Sequence, residues 1–155
     1  MNTRRYTDDS YCFFHYRLKL ELHLLKELNK IKSDITYKAH PDRIQELGNI
    51  YKTEVKKINS QKFENIWQQA EALIFTYLST TTFGFALTYS IPIVLIAPES
   101  NLWIKKRKKL LEKRVSILTP YNEFNYKKIC YKQLSNAIED AKKKKNESIY
   151  KTLIV

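Results

Sequence analysis

Between Phe63 and Pro98 the spacing of apolar residues switches between that of a helix and that of a strand, and the switches predict the elements. Phe63, Ile66, Trp67 and Ala70 fall at i, i+3, i+4 and i+7, one buried helical face, and either Asn59 or Ser60 can cap the helix they predict. Leu73 to Leu78 is apolar with little alternation, as expected of a strand covered on both sides in a parallel sheet. Four hydroxyl residues, Ser79, Thr80, Thr81 and Thr82, come next. Phe83, Ala86 and Leu87 then resume helical spacing, and Pro92 opens a second buried strand, Ile93 to Ala97. The pattern predicts a strand, a short crossover helix and a parallel strand, with the hydroxyls at the helix N-terminus.

The flanking sequence continues the alternation. Met1 to Ser10 is polar and predicts a frayed start. Leu18, Leu22, Leu25 and Leu28 suit a helix within Tyr11 to Ile31, which its Leu, Glu and Lys content supports over the strand-like alternation of Arg17 to Leu24. Ile35 to Ala39 predicts a short strand that delivers His40-Pro41-Asp42 at its carboxyl end. Arg43 to Tyr51 suits a helix or a loop, and Val55 to Ile58 a weak strand. Beyond Pro98, Leu102 to Lys113 predicts a helix, Val115 to Leu118 a strand ended by Pro120, and Tyr126 to Ala141 a longer helix with a basic outer face. Ile149 to Val155 predicts a late strand or a docked tail. Regular alternation of this kind implies an α/β fold, a parallel sheet with helices on both faces. At 155 residues, with no repeat or linker, residues 1–155 read as one domain.

Composition changes this picture in three places. Ala72 to Ala97 is a 26-residue run without a charge, and the seven basic residues among Lys105 to Arg114 would flank it as a positive-inside segment, so a single-span membrane protein is a rival reading. Pro92, Gly84, the four hydroxyls and the change of period argue against it. A net charge of +12 favours polyanionic neighbours, although Lys105 to Arg114 and Lys142 to Lys145 also read as solvated helix faces. Two glycines exclude a Gly-rich phosphate loop. Cys12 and Cys130 fit no metal-ligand pattern and suit reduced thiols, and no signal sequence opens the chain, so the expected location is cytoplasmic.

The candidate chemistry lies at strand ends. A helix N-terminus leaves backbone N–H groups unpaired, so the hydroxyls of Ser79 to Thr82 either complete a cradle for an anion or simply cap the helix. In open parallel sheets, ligands bind at the carboxyl ends of the strands. Pro41 stops its strand and holds His40 extended at the rim, and Lys38 lies close by in sequence. Together, His40, Lys38 and the hydroxyl turn read as a phosphate or pyrophosphate site, with a structural His40 as the alternative.

Tyr37-Lys38-Ala39-His40-Pro41, a helix near Phe63 and then AEALIFTYLSTTTFGFALTYSIPIVLIAP resemble the C-terminal, donor-binding half of GT-B fold bacterial glycosyltransferases. The likeness is to capsular and surface-polysaccharide enzymes, among them sialyltransferases with His-Pro and Ser-Ser/Thr motifs and CDP-glycerol glycerophosphotransferases. It covers roughly Ile35 to Leu118. The resemblance implies a Rossmann-like doubly wound parallel sheet forming a single GT-B half-domain, a CMP-, CDP- or UDP-activated donor, and no metal or other cofactor. It implies that His40 and Pro41, with Lys38, meet the donor nucleotide, and that Ser79, Thr80, Thr81 and Thr82 hold phosphate oxygens. In many such enzymes a glutamate after the phosphate turn binds a ribose or sugar hydroxyl; Phe85 stands at that place, and Glu99 is the substitute. A complete enzyme of this kind also has an N-terminal half with the acceptor contacts and usually the catalytic base, and this sequence shows none. The expectation is therefore donor recognition, with catalysis left to a partner chain or absent, and with peripheral contact to an anionic inner membrane.

A second function class is a basic nucleic-acid-binding protein, since 13% aromatic residues and the Lys/Arg runs allow stacking and backbone contacts. It ranks lower because no reader motif occurs and many aromatics fall at core spacing. His-Pro-Asp also marks J-domains, but there it joins two helices, whereas here it follows the strand-like ITYKA.

Overall fold

A computed structural model describes residues 4–31, 34–40, 44–78, 80–97, 102–123 and 126–144. The elements in order are α1 (Arg4–Asn29), β1 (Thr36–Lys38), α2 (Ile44–Tyr51), β2 (Lys57–Asn59), β3 (Leu73–Phe75), α3 (Thr81–Leu87), β4 (Ile93–Ile96), α4 (Leu102–Leu111), β5 (Ser116–Leu118), β6 (Tyr121–Glu123), β7 (Tyr126–Lys128) and α5 (Tyr131–Lys143). β1 and β2 form a parallel pair, β3, β4 and β5 a parallel sheet in that order, and β6 and β7 an antiparallel hairpin. The chain is thus a mixed α/β protein.

Side-chain alternation along the strands explains the layering. In β4, Val94 and Ile96 enter one apolar cluster with Leu20, Leu24, Leu25 and Leu28 of α1 and Leu134, Ala137 and Ala141 of α5. Ile93 and Leu95 enter the other, with Phe83, Ala86 and Leu87 of α3 and Leu111 of α4. Successive strand residues point to opposite faces, so the two clusters are the two sides of one sheet. β3 and β5 obey the same rule, with Ile74 and Leu118 on the α1 and α5 side and Leu73, Phe75 and Ile117 on the other. All four β4 residues are at most 1% exposed, and full burial of such side chains contributes about 1.5–3 kcal/mol each. Tyr37 and Ile58 carry β1 and β2 onto the α1 side.

The uncharged run from Ala72 to Ala97 therefore divides into β3, α3 and β4, and among the described residues no helix is long and apolar enough to cross a membrane. Two expectations are corrected. Phe63 to Ala70 is not one α-helix but two successive 3-10 turns, Phe63–Asn65 and Trp67–Gln69, separated by Ile66 at φ −123°. The three-residue spacing of Phe63 and Ile66 is met as well by a 3-10 turn as by an α-helix, and Trp67 gains a stacking partner in Tyr89, ring centroids 4.1 Å apart. Tyr126 likewise belongs to β7 rather than to the last helix, which starts at Tyr131. Cys130 is its N-cap, where its own N–H donates to Gln133 Oε1 at 3.3 Å. The predicted tail, Ile149 to Val155, lies outside the described residues.

Arg114 corrects the reading of Lys105 to Arg114 as wholly solvated. It is fully buried, with Nε donating to Leu87 O at 3.3 Å, Nη2 to Ala86 O at 3.2 Å and to Tyr89 O, and Nη1 to Lys144 O at 3.4 Å. Carbonyls at a helix C-terminus lack intrahelical donors. One guanidinium supplies donors at the ends of both α3 and α5, to Leu87 O and Lys144 O and, beside the backbone N–H groups they already accept, to Ala86 O and Tyr89 O.

Candidate functional site

The predicted site residues fall into two groups. Lys38 ends β1 and His40 follows it, exposed, beyond an Ala39 whose N–H continues the ladder to Asn59 O at 2.9 Å. Lys38 is half-buried, and its ammonium donates to Ala39 O at 2.6 Å. Burial lowers its pKa from the usual 10.5, and the charge of Glu64 offsets this in part. A cation held out of water in this way gains from an anion placed beside it.

The second group starts α3. Thr80 is the N-cap in extended conformation, and its Oγ1 accepts the Phe83 N–H at 3.1 Å. That hydroxyl is occupied as a cap, the simpler of the two roles considered for the turn. Thr81 is exposed and Thr82 half-buried, so theirs are the hydroxyls within reach of a ligand. The helix covers only Thr81–Leu87, so side-chain hydroxyls rather than a helix dipole would have to carry recognition there. Phe85, at the place of the expected glutamate, is 46% exposed on the same helix. A Cβ at Gly84 would meet nothing within 4 Å, which leaves open space beside it. Pro41, Ser79 and Glu99 lie outside the described residues.

What relates the two groups is a residue that the sequence pattern did not single out. Glu21 of α1, 7% exposed, accepts hydrogen bonds from Thr76 Oγ1 at 2.7 Å, Tyr51 Oη at 2.8 Å, Arg17 Nε at 3.0 Å and Tyr37 Oη at 3.1 Å. Tyr37 is the central residue of β1, and Thr76 directly follows β3. One carboxylate thus ties the strand that leads to His40 to the strand that leads to Thr80. Burial, and then the Glu21 charge, push both phenols well above the ordinary tyrosine range, so they remain donors. The signal was present: Leu20, Leu24, Leu25 and Leu28 define the inward face of α1, and Glu21 shares it.

A shallow cleft of about 320 Å³ lies elsewhere, between the end of α1 and the start of α5, lined by Lys30, Ile31, Tyr131, Lys132, Ser135 and Asn136. Glu27 nearby already accepts the Tyr131 N–H at 2.9 Å and pairs with Lys30, so the start of α5 has its anion within the chain. No group of three or more His, Cys, Asp or Glu residues able to hold a metal occurs among the described residues. Compared with known proteins, the chain matches no family model, no curated protein and no solved structure.

Proposed function

We propose that the chain is the donor-binding half of a GT-B type glycosyltransferase of surface-polysaccharide synthesis, built as a Rossmann-like doubly wound domain. Its ligand is a sugar or polyol activated by a cytidine or uridine nucleotide. The observation that supports this reading is the chemistry at the carboxyl ends of β1 and β3, strands of two separate parallel sheets: Lys38 and His40 on one, three consecutive threonines on the other, both strands tied to Glu21. Thr81 and Thr82 offer hydroxyl donors to phosphate oxygens, and Lys38 offers a partly dehydrated positive charge. Transfer of the glycosyl or polyol group leaves negative charge on the departing nucleotide phosphate, and donors fixed in advance stabilise that charge without reorganising.

The competing nucleic-acid reading draws on the lysines of α4 and α5 and on Lys144, the C-cap of α5. Several of these are already paired with carboxylates close by in sequence: Lys108 with Glu112, Lys142 with Glu139 and Lys144 with Asp140. Such pairs are the habit of a solvated face.

Calorimetric titration with CMP, CDP and UDP tests the proposal. Saturable binding of at least one is expected, lost in the His40→Ala, Ser79→Ala double variant. Undiminished binding by that variant would remove these residues from the site, and affinity for RNA or DNA that falls steeply with salt, with no response to nucleotides, would favour the rival.

A further inference from the structure

Arg17 and Glu21 stand one helical turn apart on α1, and together they grip the segment that leads into α3 at two successive residues. Glu21 Oε1 accepts from Thr76, and the Arg17 guanidinium lies over the Tyr77 ring, 4.8 Å from its centroid. The other oxygen, Oε2, accepts from Tyr37 of β1 and from Tyr51 at the end of α2. An ionised carboxylate offers about four acceptor positions, and Glu21 fills four. It therefore has no capacity left for a cation or a substrate hydroxyl.

Attachment of α1 to the sheet does not need this carboxylate, because Leu20, Leu24, Leu25 and Leu28 already bury that face. A charge in an apolar stripe costs desolvation that a leucine would not, and what it supplies in return is direction. Each of its bonds to a hydroxyl fixes one group, and the hydroxyls belong to β1, to the end of α2 and to the β3–α3 turn. We infer that Arg17 and Glu21 are positioning residues that set where the threonine turn stands relative to Lys38 and His40. Their bearing on a ligand rests on the donor-site reading, whereas the brace itself is measurable in the ligand-free protein.

The experiment combines amide hydrogen exchange of the ligand-free chain with calorimetric titration of CDP, on Thr76→Val and Arg17→Gln. Both substitutions cut the grip on the turn while leaving Glu21 and its tyrosines in place, and they serve should Glu21→Gln fail to fold. Leu24→Ala is the control for plain destabilisation. The brace predicts exchange in residues 77–83 faster by about tenfold, with β4 and β5 unchanged, as expected when one segment opens locally. It also predicts CDP affinity weaker by about threefold or more. Leu24→Ala should speed exchange throughout and leave the affinity of the folded fraction unchanged. Exchange that rises evenly, or not at all, in the Thr76 and Arg17 variants overturns the inference, as does selective loosening with CDP affinity intact. If the parent chain binds no nucleotide and the turn still loosens selectively, the donor reading falls and the brace stands.

Discussion

Among the buried charged residues described, Arg114 and Glu21 differ most in what they bind. Arg114 donates to backbone carbonyls, among them those of Ala86, Leu87, Tyr89 and Lys144. Glu21 gathers side chains instead, from α1, β1, the end of α2 and the start of the β3–α3 turn. A cation on helix-end carbonyls serves groups that the fold creates wherever helices stop, so its expected effect is on stability. A carboxylate that collects hydroxyls from separate elements fixes their mutual placement, which is what a binding site requires. The two also sit apart on α3, Arg114 at its C-terminal end and the Glu21 linkage ahead of its N-terminal end.

The contrast is sharpest in the largest expected effect. Arg114→Met should lower unfolding free energy by about 3 kcal/mol, because Leu87 O and Lys144 O lose the guanidinium while Ala86 O and Tyr89 O are left with their backbone donors alone. Urea denaturation measures the loss, and the nucleotide affinity of the remaining folded protein should be unchanged. Glu21→Gln should cost about 2 kcal/mol, since the amide nitrogen would face hydroxyls that need an acceptor. Here affinity should fall together with stability, and equal behaviour of the two variants would erase the distinction.

The next effect is a pH dependence on the Glu21 side. Tyr37 and Tyr51 titrate near 10 when unfolded and well above that when folded, because of burial and then the Glu21 charge. In that range the folded protein holds protons that the unfolded chain releases. The associated stability is thus fully present below pH 10 and is lost as pH rises further. The urea midpoint should decline above about pH 10, with a shallower decline in Tyr51→Phe. An identical decline in that variant would place the alkaline sensitivity elsewhere.

The smallest effect concerns α3 itself. Gly84 is helical and a methyl group added to it would project into open space, so Gly84→Ala should raise stability by about 0.5–1 kcal/mol. Thermal unfolding reads the gain. Lower CDP affinity in that same variant would mean that the ligand lies against this face of α3.

Much of the frame was legible because burial on both sides of a strand leaves a distinctive trace. The uncharged β4, the hydroxyl turn and Pro92 located the β3–α3–β4 unit, and the parallel pairing followed. The Phe63 region misled because apolar residues three apart serve a 3-10 turn equally well. Tyr126 misled because a strand of three residues is too short to display alternation. On the site, the sequence placed Lys38, His40 and Thr80 at strand and helix ends, but it could not show that Thr80 spends its hydroxyl as a cap. Nor could it show Glu21 gathering Tyr37, Tyr51 and Thr76, since those partners lie 16, 30 and 55 residues away along the chain. Arg114 was hidden by its neighbours: six other basic residues in the same run mark a solvated helix, and the seventh turns inward.

Amide and side-chain NMR shifts of the isotope-labelled chain, recorded as CDP is added, would locate the ligand without any substitution. The donor-site reading predicts saturable changes concentrated at Lys38 to His40 and Thr80 to Phe85. Changes centred instead on Lys30, Tyr131 and Ser135, or none at millimolar CDP, would contradict it.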